Sequence, residues 1–93
     1  MKDLTNKLRS MRERRTTVID AAKNRPCMDC GGTFPSVCMD FDHVRGEKLF
    51  GVGNSRSRSV KAMQDEIAKC DIVCANCHRV RTHARRQYRK TEA

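Results

Sequence analysis

Cys27-Met28-Asp29-Cys30-Gly31-Gly32 and, after 41 intervening residues, Cys74-Ala75-Asn76-Cys77-His78 are the two stretches that decide how this chain folds. Each carries a Cys-x-x-Cys pair on a tight turn, and two such pairs supply the four thiolates of a closed tetrahedral zinc site. Gly31 and Gly32 suit a knuckle, since glycine takes positive φ values where the backbone must wrap around a metal. The competing reading is redox chemistry or disulfides, as six cysteines can form three bridges. No charged segment followed by an apolar run opens the chain, so a reducing cytoplasm is the expected location. There, paired cysteines at short spacing bind zinc more often than they bridge. Cys38 and Cys70 fall outside the pairs and read as small buried hydrophobes. Four cysteines fill a zinc shell, which leaves His78 for other chemistry.

A staple of this kind is needed. The chain has 93 residues, 38% hydrophobic and 4% aromatic, with no Trp, so a packed core alone is too small to hold one structure. No apolar run approaches membrane-spanning length, and no membrane association is expected.

Charge is distributed unevenly. Residues 1–25 carry eight Lys/Arg against three Asp/Glu, and residues 79–93 carry six against one, so each end is net +5. Residues 26–78 hold six basic and seven acidic side chains, and the total of +9 therefore resides in the two ends. That arrangement suits a polyanion lying across both arms, the plain alternative being a solvated basic surface.

Outward from the knuckles, Leu4, Leu8, Met11, Val18, Ile19 and Ala22 recur at helical spacing, which predicts a basic helix over residues 3–23 closed by Pro26. Residues 1–25 are one segment, and residues 26–93 form the zinc-stapled domain with a basic C-terminal helix. Val37 to Val44 alternates as a strand with Val37, Met39 and Phe41 on one side, delivering Asp42 and His43 at its end. Residues 45–59 are rich in Gly, Ser and Arg and read as loop, with Leu49-Phe50 as a short partner strand. Arg56 and Arg58 in that loop are further candidate contacts. Val60, Met63 and Ile67 mark a short helix with Ser57 or Ser59 as N-cap. Ile72-Val73 leads into the second knuckle, and residues 79–90 continue as a basic helix.

The order Cys-x-x-Cys, then Asp42-His43 at a strand end, then Cys-x-x-Cys-His78 resembles the zinc-bearing HNH nucleases, several of which are encoded by bacteriophages. The resemblance covers residues 27 to about 83. It implies an α+β fold: a small ββα-metal core, one β-hairpin and a helix around a catalytic ion, stapled by the Cys27, Cys30, Cys74 and Cys77 zinc site. It implies a metal-dependent DNA endonuclease, a phosphodiester hydrolase with weak sequence selectivity, with Asp42 and His78 as ligands of one Mg²⁺ or Mn²⁺ and His43 as general base. Other transition metals are also compatible. The family's middle Asn, five residues before the third cysteine, corresponds here to Lys69. Either Asn76 or a neighbouring polar group then braces the loop, and Lys69 is a candidate phosphate contact. His83 is a possible further ligand or phosphate contact.

Substrate grip is expected from Arg9, Arg12, Arg14 and Arg15 in front, and from Arg79, Arg81, Arg85, Arg86, Arg89 and Lys90 behind, reaching phosphates rather than base edges. By resemblance, the setting is a bacterial host cell and the partners extend from DNA to phage terminase subunits during genome packaging. A histidine base must be neutral to act, so activity is expected to fall in acid. The competing function is a non-catalytic zinc module that binds nucleic acid, which leaves Asp42, His43 and His78 without a purpose.

Overall fold

In the computed structural model, residues 2–54 and 58–92 are described, with side chains over 9–53 and 58–86. The fold is α+β: helix α1 (Lys2–Lys23), strand β1 (Met39–His43), helix α2 (Val60–Ile67), strand β2 (Cys70–Cys74) and helix α3 (Ala75–Glu92). Single 3-10 turns occupy Ser36–Cys38 and Val52–Asn54. No described helix is long and apolar enough to cross a membrane.

α1 runs where the periodicity places it, without Gly or Pro to interrupt it, and stops before Pro26. Its last turns half-bury Val18, Ile19 and Ala22. It packs on α2 and is tied to the chain before β1 by Ser36 Oγ, which donates to Asp20 Oδ1 at 2.8 Å. α2 starts at Ser59, whose Oγ accepts from the Ala62 N–H at 3.1 Å and so satisfies one orphan donor of the first turn. The other N-cap candidate, Ser57, lies outside the described residues, as does Arg56.

The sheet is a two-stranded antiparallel ribbon with Met39 opposite Cys74, Phe41 opposite Ile72 and His43 opposite Cys70. This corrects two expectations. β1 begins at Met39 and not at Val37, because Pro35 opens a 3-10 turn whose Cys38 N–H donates to the Pro35 carbonyl at 2.9 Å, leaving Val37 86% exposed. The partner of β1 is Cys70–Cys74 and not Leu49-Phe50. Pairing with β2 sets Met39 beside Cys74 and brings the two knuckles together, which pairing with residue 49 does not do. Leu49 is instead exposed, and its N–H is held by Glu66.

The core lies under this ribbon. Met39, Ile72 and Val73 are buried with Cys27 and Cys74, and Phe41 and Cys77 pack against them. Val52 and Met63 are the remaining buried aliphatic side chains among the described residues. A core this small gives physical meaning to the staple predicted from composition.

Candidate metal centre and catalytic cleft

The first knuckle is closed by its own backbone. The Cys27 N–H donates to Gly32 O and the Gly31 N–H to Cys27 O, both at 2.8 Å, while the Met28 N–H donates to Ile72 O at 3.0 Å and pins the turn to β2. Gly31 takes a φ of +73°, as a wrapping knuckle requires. Gly32 has a different reason: a Cβ there would lie 2.7 Å from the Phe34 ring. The second knuckle is the junction itself, since Cys74 ends β2 and Ala75 begins α3 with no residue between them.

The sulfur atoms of Cys27, Cys30, Cys74 and Cys77 all lie within 4.8 Å of one another. Ideal tetrahedral zinc with Zn–S bonds of ~2.3 Å spaces its sulfurs by about 3.8 Å, so the cluster can hold a metal ion such as zinc. Among the described residues it is the one group of three or more Cys, His, Asp or Glu with donor atoms so close. Backbone donors already face the sulfurs: Cys74 N–H to Cys27 Sγ at 3.3 Å, Cys77 N–H to Cys74 Sγ at 3.4 Å and Gly32 N–H to Cys30 Sγ at 3.5 Å. Burial pushes the Cys27 thiol up, but backbone hydrogen bonds from Cys30, Cys74 and Asp29 outweigh it and bring it down to about 6. Its neighbour Cys77 is pushed up to about 12, chiefly by its hydrogen bond to Cys74 and by burial. All six cysteines are unbridged. Cys70 is buried, donates to Glu66 O at 3.4 Å and has its thiol raised to about 11 by burial, which fits an inert core residue, and Cys38 is half-buried.

A second polar centre surrounds the end of β1. His78, one turn into α3, has Asp40 Oδ2 at 2.9 Å from its Nδ1 and Asp42 Oδ1 at 3.7 Å from its Nε2. His43 and His78 line one open cleft of about 420 Å³ with Asp40 and Phe41, walled by Lys23, Lys48 and the backbone around Gly51 and Gly53. Of the expected trio, His43 and His78 share this cleft with Asp40, whereas Asp42 is not part of its lining and, of the two histidines, meets only His78, at 3.7 Å. Asp40 was legible: in an Asp-Phe-Asp strand the two carboxylates stand on the same side, so whatever meets one is near the other.

Asp42 differs from expectation in its occupancy. It is 3% exposed, and its two oxygens receive Arg85 at 3.0 and 2.7 Å and Arg81 at 2.9 Å. Arg85, opposed by burial and helped by Arg81, holds its carboxyl down to about 2. Arg81 also binds Asp29 through two bonds of 2.7 Å and Asp71 at 3.0 Å. Hydrogen bonding to Arg81 lowers the Asp29 carboxyl; at Asp71 burial raises it, but Arg45 and Arg81 bring it below its ordinary range. Arg81 and Arg85 are thus committed to carboxylates rather than lying free for phosphate. Their spacing from His78, i+3 and i+7, gave the clue that they share its inward helix face. Arg81→Met leaves the buried Asp42 and two neighbours short of a cation, and an expected loss of about 3 kcal/mol will be seen in urea unfolding of the metal-loaded protein.

Of the other candidate residues, Arg9, Arg12, Arg14, Arg79, Arg86, His83 and Asn76 are exposed and Arg15 is half-buried; Arg9 makes a loose pair with Glu13 at 3.8 Å. The side chains of Arg89 and Lys90 lie outside the described ones. Lys69 does the bracing expected of Asn76 or another neighbour. Its carbonyl accepts from the Val44 and Arg45 N–H groups at 2.9 and 3.0 Å, and its ammonium donates to Glu47 O and to Glu66 Oε1, both at 2.8 Å. It is committed within the protein rather than offered to phosphate. Glu66, not anticipated, is 1% exposed and holds His43 Nε2 at 3.0 Å. Lys69, against burial, brings the Glu66 carboxyl down to about 2 with help from the Leu49 N–H and His43. The readable signal was its place beside Met63 on the apolar stripe of α2, where a solvated acid does not belong.

Comparison with family models, with curated proteins and with solved structures finds no match to this chain.

Proposed function

We propose that this chain is a metal-dependent endonuclease of the HNH type, with a structural zinc at the four cysteines. The supporting observation is the cleft in which His43, Asp40 and His78 meet between Lys23 and Lys48. A histidine beside a carboxylate–histidine pair is the donor chemistry of phosphodiester hydrolysis, in which one group moves a proton and the others hold a cation.

The donor set fits a hard or borderline divalent ion. Asp40 Oδ2 and His78 Nδ1, hydrogen-bonded at 2.9 Å, offer one oxygen and one nitrogen donor side by side. Asp40 and His78 would hold the ion. Asp42, saturated by Arg81 and Arg85, is better placed to steady α3 than to ligate. When bound, Mg²⁺ or Mn²⁺ supplies charge stabilisation to the phosphate and its departing oxygen. His43 takes a proton from water, the water oxygen bonds to phosphorus, and the P–O3′ bond breaks. Lys23 and Lys48 at the cleft rim, with Arg12, Arg14, Arg15, Arg79 and Arg86 on the two arms, bind the flanking backbone of DNA.

The test is conversion of supercoiled plasmid to nicked and linear forms by the zinc-loaded protein with Mg²⁺ or Mn²⁺, against an EDTA control. Metal-dependent cutting is expected, and binding should weaken steeply with salt, by about −0.9 in the log-log slope per phosphate neutralised. Binding without cutting in any metal would overturn the enzyme and leave a nucleic-acid-binding zinc module.

A further inference from the structure

Glu66 has more partners than a structural acid needs. Its Oε1 accepts from Lys69 Nζ at 2.8 Å, and its Oε2 accepts from the Leu49 N–H at 3.0 Å. The Leu49 bond already ties α2 to the loop after β1, and the Lys69 bond is local to the end of α2. The third contact, His43 Nε2 at 3.0 Å, comes from the end of β1 and adds nothing to that tie.

We infer that Glu66 is a positioning residue for the base: its buried carboxylate accepts the Nε2 proton of His43 and so reserves Nδ1 as the lone-pair nitrogen that takes a proton from water. The base role rests on the nuclease reading above; the choice of tautomer does not.

An ionised carboxylate only accepts, and its other two neighbours, an ammonium and a backbone N–H, only donate. With Lys69 at 2.8 Å supplying the opposite charge, the proton between Oε2 and Nε2 belongs to the ring. A neutral imidazole carries one proton, and so its second nitrogen is the acceptor. The carboxylate cannot drift, because α2, the Leu49 backbone and Lys69 hold it from three directions, and Lys69 is itself anchored on Glu47 O at 2.8 Å. His43 is thereby restrained both in tautomer and in ring orientation, while it still lines the cleft shared with Asp40 and His78.

The experiment has two arms on the full zinc-loaded chain. Nitrogen-15 NMR of the imidazole rings, with histidines neutral, should show His43 protonated at Nε2. In Glu66→Gln one carboxylate oxygen becomes an NH2 group; with the amide oxygen kept by Lys69, that NH2 faces His43 and donates where the carboxylate accepted, so the single Nε2-protonated tautomer should give way to a mixture. In the same variant kcat for plasmid nicking should fall about 10- to 100-fold, the range lost when an outer hydrogen-bond partner of a working side chain is removed, while KM stays within about twofold. A His43 protonated at Nδ1 in the parent protein overturns the proposal, and so does a Glu66→Gln protein that keeps both tautomer and kcat. If Glu66→Gln fails to fold, the parent spectrum still decides. If the parent protein cuts no DNA, the nuclease reading falls while the tautomer still decides whether Glu66 orients His43.

Discussion

Removing the metal from the Cys27, Cys30, Cys74 and Cys77 site is expected to unfold the sheet and the cleft together. The five buried aliphatic side chains among the described residues, Met39, Val52, Met63, Ile72 and Val73, are too few to offset the ordering of a chain this long. A domain of this size is stable by roughly 5 to 15 kcal/mol in all, and a structural zinc contributes on the order of 10 kcal/mol, so little remains without it. Four thiols brought within 4.8 Å of each other with no cation between them also repel once more than one ionises. A strong chelator should therefore collapse amide NMR dispersion, and one equivalent of zinc should restore it. Cys74→Ser should behave like the chelated protein. Cys38→Ser, outside the cluster, should bind one zinc and fold as the parent does. Native dispersion in a protein shown to be metal-free would overturn this.

His43→Ala is expected to reduce plasmid cleavage by about 10²- to 10⁴-fold, the usual contribution of a positioned proton acceptor. The fold should survive, because Glu66 keeps Lys69 and the Leu49 N–H as partners, and no zinc ligand is touched. DNA affinity should change little, since the arm arginines and the cleft lysines are intact. Zinc content and binding measured beside cleavage separate loss of chemistry from loss of structure. Full cleavage by a folded, zinc-loaded His43→Ala protein would remove His43 from the mechanism.

Spacing and periodicity carried much of this architecture. Two Cys-x-x-Cys pairs announced the metal centre because thiolates at that spacing have few other uses in a chain of this composition, and the apolar rows of α1 and α2 needed no tertiary information. β2 was hidden for the opposite reason. Four of its five residues are buried, so it shows no alternation and reads as a lead-in to the knuckle. The acids were hidden too. Asp29 and Asp71 look like solvated charges until the fold turns Arg81 and Arg45 towards them. An arginine run likewise reads as one basic surface. The fold divides it into inward members such as Arg81 and Arg85 and outward ones such as Arg79 and Arg86.

The antiparallel pairing of Met39 with Cys74 also bears on how the molecule is made. β1 leaves the ribosome well before β2, the strand it pairs with, carrying half a metal site and an open edge. An unpaired edge of that kind invites pairing with other chains, and Asp40 and Asp42 placed along it act as charged guards against aggregation until β2 arrives. Folding therefore turns on a single joining event, in which the strand pairing and the four-cysteine site close together.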